Sequence, residues 1–165
     1  MKERENMLAN KKIELGNKVY LTDTCYDTTT WCQQLLTNVK SGKWVVDYEF
    51  DNEDDELKTT LSIAHEDYGM AIFNDFYDEV KSSMVLGVDS GTIGIFDKDY
   101  YEKYHYECSI DDTWYENNII NSVGRRKEHI TDNKGVWVNT TYGDGSYYAN
   151  LYIKDNEICG IEISC

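Results

Sequence analysis

Proline is absent from the 165 residues, basic side chains are scarce, no two of the five cysteines form a CxxC pair, and no apolar run approaches the length of a membrane span. Each shortage excludes something. Sixteen Lys and Arg against thirty-one Asp and Glu leave a formal net charge of -15. A field of that sign repels nucleic acid and anionic membranes and attracts basic partners. The cysteines (Cys25, Cys32, Cys108, Cys159 and Cys165) are odd in number. A disulfide framework usually needs an even count and a zinc site close pairs, so reduced, buried thiols are expected and no metal or cofactor is assigned. Cys165 is not preceded by a CaaX pattern, so prenylation is not indicated. "MKERENMLANKK" has no apolar signal-peptide core, which points to the cytoplasm. The missing proline accompanies an abundance of Lys, Asn, Ile, Tyr and Asp. A/T-rich codons specify those residues, so a low-GC bacterium or its phage is the expected source.

What is present suffices for one domain. Apolar residues make up 41% of the chain and aromatics 13%, led by fourteen tyrosines, enough to bury a self-sufficient core. Residues 1–11 read as a polar arm and 12–165 as a single β-rich domain. "KIELGNKVYLTD" alternates about a Gly-Asn turn and predicts a short hairpin. In "TTTWCQQLLTNVKSG", Trp31, Leu35 and Val39 recur at helical spacing, Thr30 and Gln33 suit a capping box, and Gly42 a stop. "KWVVDYEFDNEDDELKTTLSI" returns to period two. Trp44, Val46, Tyr48 and Phe50 should face the core, matched by Leu57, Thr59, Leu61 and Ile63 on a second strand.

Further along, Ile72, Phe76 and Val80 share a helical face. "MVLGVD" and "TIGIFD" read as two buried strands, and "DKDYYEKY" as one or two helical turns. "DDTWYENNIINSVG" predicts a helix with Thr113 and Glu116 as capping box and Tyr115, Ile119 and Val123 inward, with Arg125, Arg126 and Lys127 compensating its C-terminus. The remainder reads as a β-meander with turns at "DNKG", "GDG" and "DNE". The expected class is therefore α+β: mainly antiparallel sheet, as a sandwich or curved sheet, with two or three short helices.

Two Gly-rich stretches invite chemical readings. "GVDSGTIGIFD" holds one Asp-Ser-Gly triplet, half of a pepsin-type site. A retroviral-type homodimer would be needed to supply the second carboxylate. A hairpin turn explains the triplet more simply, with Gly91 at positive φ and the Asp89 side chain bonding nearby amides. "YGDGSY" lacks the following helix and Lys of a phosphate cradle and suits a tight turn. The loop "DNEDDE" lacks the Gly of an EF-hand.

Asp47, Glu49 and Asp51 alternate along one strand and should project outward every roughly 6.7 Å. Glu53, Asp54 and Asp55 extend that row into the loop. It forms either a binding face for a basic surface or a solvated face that guards a sheet edge. A second candidate set is a pocket of Asp89, Ser90, Asp97 and Asp144 with His65.

Three segments, "VYLTDTCYDTTTWCQQLLTNVKSGKW", "GVDSGTIGIFD" and "YGDGSYYANLYIKDNEICGIEIS", resemble an uncharacterised family of small bacterial and phage proteins. Family members often carry proline where this chain has Thr24. The resemblance implies a shared β-rich fold and supplies no reaction. Two functions stay open. One is an acidic, non-enzymatic binding protein, an inhibitor or an immunity or anti-defence factor engaging a basic protein surface. The other is a small enzyme or a ligand- or metal-binding domain using Asp89, Asp144 and a histidine.

Overall fold

The computed structural model describes residues 11–53, 56–74, 80–106 and 109–165, and only the backbone of 52, 53, 56, 57, 80 and 81. Among the described residues thirteen strands lie in three sheets. A six-stranded sheet runs β1 (Lys12–Leu15), β4 (Gly42–Glu53), β5 (Glu56–His65), β13 (Glu157–Ser164), β12 (Gly145–Lys154), β6 (Val80–Val88). A five-stranded sheet runs β10 (His129–Thr131), β11 (Gly135–Asn139), β7 (Thr92–Asp97), β2 (Val19–Thr22), β3 (Gln34–Leu36). The short pair β8 (His105–Tyr106) and β9 (Ser109–Ile110) lies between helices α1 (Lys98–Tyr104) and α2 (Asp112–Asn118). Every strand pairing is antiparallel.

The two large sheets pack face to face. Ile13, Trp44, Val46, Leu61, Ile63 and Leu86 from one meet Val19, Leu21, Ile93, Ile95, Val136 and Val138 from the other in a single cluster. The far side of the five-stranded sheet is covered as well: Tyr20, Phe96 and Trp137 pack against Tyr101 of α1 and Trp114 of α2. That second layer explains why β2 and β7 are buried at nearly every position instead of alternating. The result is the expected α+β fold in a sandwich arrangement.

Several local expectations are overturned, and the reasons are tertiary. β1 and β2 do not form a hairpin: β1 pairs with β4 and β2 with β3 and β7, so Gly16–Asn17 carries the chain from one sheet to the other. Helical spacing in 28–42 resolves into turns followed by β3. Leu36 and Val39 are buried while Trp31 is 92% exposed, so no common helical face exists. A 3-10 turn spans Gly69–Phe73; Phe76 lies outside the described residues, and Val80 already opens β6.

Phe50 lies at the core boundary, 37% exposed under the Arg126 guanidinium at 4.5 Å. Arg126 therefore covers an aromatic ring rather than compensating a helix terminus. In α2 the cap is Asp111, accepting from the Trp114 N–H, two positions before Thr113. Trp114 and Ile119 are buried and Val123 is exposed, because the chain passes into a 3-10 turn at Ile120–Ser122. The C-terminal meander splits into two hairpins on different sheets. Both close through paired left-handed residues, Asp132–Asn133 and Asp155–Asn156, with φ between 47° and 65°, the geometry that matches strand twist.

Candidate functional site

The Asp-Ser-Gly triplet is not a hairpin turn. β6 pairs with β12 and β7 with β2 and β11, so residues 89–91 carry the chain across the sandwich, with Gly91 at φ 71° as expected. The bonding expected of the Asp89 side chain is performed by another carboxylate. Asp23, wholly buried at the end of β2, accepts the Asp89 N–H (2.7 Å), the Ser90 N–H (2.8 Å), the Ser90 hydroxyl (2.6 Å) and the Cys25 N–H (2.7 Å). Four donors satisfy the charge inside the protein, as a buried carboxylate requires. Ser90 is thus a partner of the clasp, and Ser90 Oγ also lies 2.5 Å from Thr92 Oγ1.

Asp89 itself is exposed and accepts from the Tyr26 hydroxyl at 2.9 Å. Burial, then the neighbouring Cys32 and Asp89, pushes the Tyr26 phenol well above its ordinary pKa. Cys32 rests on β6: a Cβ added at Gly87 would lie 2.9 Å from its sulfur. Only glycine admits the loop there. The first two resembling segments are therefore bonded together.

Behind the clasp, Tyr101 donates to the carbonyl of Tyr26 and stacks on His105, centroids 3.6 Å apart. His105 Nδ1 lies 2.9 Å from the Tyr101 carbonyl and Nε2 3.0 Å from that of Thr24. Burial outweighs these two carbonyls and holds the imidazole below its usual pKa. The exposed Cys25 thiol faces Tyr115, whose phenol is pushed up by burial and then by that sulfur. A thiol nucleophile needs a base within hydrogen-bond reach. Both His105 nitrogens face backbone carbonyls, so this ring is committed to holding the chain.

The other pocket candidates separate. Asp144 is exposed on the turn beside Asp89: Val88 pairs with Gly145, and Gly91 approaches the Gly143 Cα. "YGDGSY" likewise crosses between sheets, from β11 to β12, and is not a hairpin turn. Asp97 stands at the opposite end of β7, where it caps α1 at the Tyr100 N–H (3.2 Å) and accepts the Gly16 N–H (2.8 Å). His65 is also at that end: the row of its neighbour Ala64 runs through Gly160 to Tyr152, seven residues along β12 from Gly145, about 23 Å. His65 Nδ1 accepts the Asp67 N–H and Nε2 donates to the Ser41 carbonyl, so both ring nitrogens are engaged. Asp89, Ser90 and Asp144 share one pole; Asp97 and His65 share the other.

The acidic row lies on the outer face of the six-stranded sheet. Asp47, Glu49 and Asp51 stand opposite Ser62, Thr60 and Lys58 on β5. Glu53 belongs to β4 by its backbone, while Asp54 and Asp55 lie outside the described residues. Strand register continues the rows across the sheet. One reads Asp47, Ser62, Glu162, Asn150, Ser83; the next reads Glu49, Thr60, Ser164, Tyr148, Val85. No residue of that second row is buried. At the far end of the sheet the 3-10 turn covers the same face, packing Ile72 on Ala64, Tyr152 and Cys159.

Of the cysteines, Cys159 and Cys165 are buried as expected and Cys25 is exposed; Cys108 lies outside the described residues. Asp23 and Tyr26 are not singled out by the sequence, and Trp31 is assigned there to a helical face. Asp23 had one signal, a carboxylate closing the apolar strand "VYLT". Among the described residues no group of His, Cys, Asp or Glu is placed to hold a metal ion, and no helix is long and apolar enough to cross a membrane. No protein-family model, curated protein or solved structure matches the chain.

Proposed function

We propose that the protein is a non-enzymatic binding protein that sets the acidic outer face of its six-stranded sheet against a basic surface of a partner protein. An inhibitor, or an immunity or anti-defence factor in a bacterium or phage, works in this way. The observation that carries the reading is the row of carboxylates on that face: Asp47, Glu49 and Asp51 on β4 and Glu162 on β13, among hydroxyl side chains and Lys58, in a chain of net charge -15. Carboxylates on a flat sheet steer a cationic partner and fix its register, while the same field turns nucleic acid and anionic membranes away.

The test is capture from nuclease-treated host lysate, then calorimetry with the purified partner at low and high salt. Wild type should bind with an affinity that falls as salt rises. The triple variant Asp47→Asn, Glu49→Gln, Asp51→Asn should bind about tenfold more weakly. A partner whose binding ignores both salt and these charges sinks the proposal, as does the lack of any stoichiometric partner.

A further inference from the structure

We infer that the contact is anchored at the Trp31 end of this face and that the partner presents arginine there; the inference rests on the reading just proposed. Trp31 is 92% exposed, whereas Trp44, Trp114 and Trp137 are at most 4% exposed. Its exposure is built in, not a product of a loose loop. Asp27 Oδ1 accepts the Thr29 N–H and the hydroxyls of Thr29 and Thr30. Gln33 Nε2 donates to Thr22 Oγ1 and to the Asp27 carbonyl. Cys32, the next residue, rests on Gly87 of β6. Two positions along that strand, Val85 is 50% exposed, and its cross-strand partner Tyr148 is 61% exposed. An exposed tryptophan on a hydrogen-bonded loop, at the edge of a sheet that also exposes a tyrosine and a valine, has the composition of an interface hot spot.

Charge selects the occupant. The segments that build this end, residues 19–39, 82–97 and 135–153, contain no lysine or arginine. They supply Asp27, Asp89 and Asp144, the last two exposed. Lysines gather at the other pole, where Lys12, Lys40, Lys98 and Lys134 form ion pairs. Lys58 and Arg126 stand nearby, against Tyr142 and Phe50, but carboxylates outnumber them, and an aromatic surface of that charge fits a guanidinium better than an ammonium. Arginine stacks on indole and phenol rings while its fork engages a carboxylate; lysine is a compact, strongly hydrated point charge. The same stacking occurs within the molecule, where Arg126 lies over Phe50.

The probes are hexa-arginine and hexa-lysine peptides at low salt, followed by calorimetry and by tryptophan emission, in which Trp31 is the one exposed reporter. Hexa-arginine should quench that emission and bind roughly five times more tightly than hexa-lysine. Trp31→Ala should abolish the preference for arginine, and Asp89→Asn with Asp144→Asn should weaken binding about tenfold. Both variants alter exposed side chains, and far-ultraviolet circular dichroism verifies their folding. If the peptides bind but respond only to the Asp47, Glu49, Asp51 variant, the inference falls and the proposed function stands. If neither peptide binds, both fall.

Discussion

Asp23 shows how much one buried carboxylate can organise. Three of its four donors come from Asp89 and Ser90, 66 and 67 residues further along the chain, and the fourth from Cys25, so this buried carboxylate fixes how the loop after β2 meets the turn before β7. Asp23→Asn replaces an acceptor oxygen with a donor facing N–H groups and should lower unfolding stability by about 2–4 kcal/mol in urea titration. Asp89→Asn, at the exposed end of the same cluster, keeps an acceptor for Tyr26 and should cost under about 1 kcal/mol; an equal loss in both would contradict the clasp. At this scale the sequence was legible only in part. The triplet 89–91 drew notice and Gly91 took the expected φ, yet a triplet does not announce which distant carboxylate its amides will meet. Trp31 was misread for a related reason: its spacing to Leu35 and Val39 imitated a helical face, and no local rule reveals that a residue is held out into solvent.

At the scale of elements, strand alternation was read correctly wherever one face is buried. Trp44 and Val46 on β4, and Leu61 and Ile63 on β5, point inward as period two requires. Connections were the harder part, because a Gly-rich turn between two strands looks the same whether the strands pair or part. Gly16–Asn17, residues 89–91 and residues 140–144 all link strands of different sheets. The true hairpin turns carry their own signature. Asn156, at φ 65°, occupies a conformation that costs an alanine about 1 kcal/mol. Asn156→Ala should lower the thermal midpoint by several degrees and Asn156→Gly should hold or raise it; equal midpoints would mean that the turn relaxes.

For the whole molecule, pH dependence follows from burial. His105 and His129 both titrate below their ordinary value, chiefly because burial disfavours the charged ring. As pH falls through about 6.5 the unfolded chain binds protons that the folded chain resists, so stability is full above that pH and declines below it. Urea midpoints between pH 5 and 8 should slope accordingly, with His105→Gln flattening part of the slope. Tyr20, pushed up to about 12 by burial and then by Glu102, has the opposite consequence, a loss of stability as pH rises beyond about 10. The order of strands has a further consequence, for synthesis. β13, residues 157–164, pairs between β5 and β12, so the ribosome delivers a central strand of the larger sheet after the strands on both sides of it. Until then β5 and β12 each present an unmatched edge to their surroundings, and the nascent chain depends on chaperones or speed to avoid pairing with a neighbour.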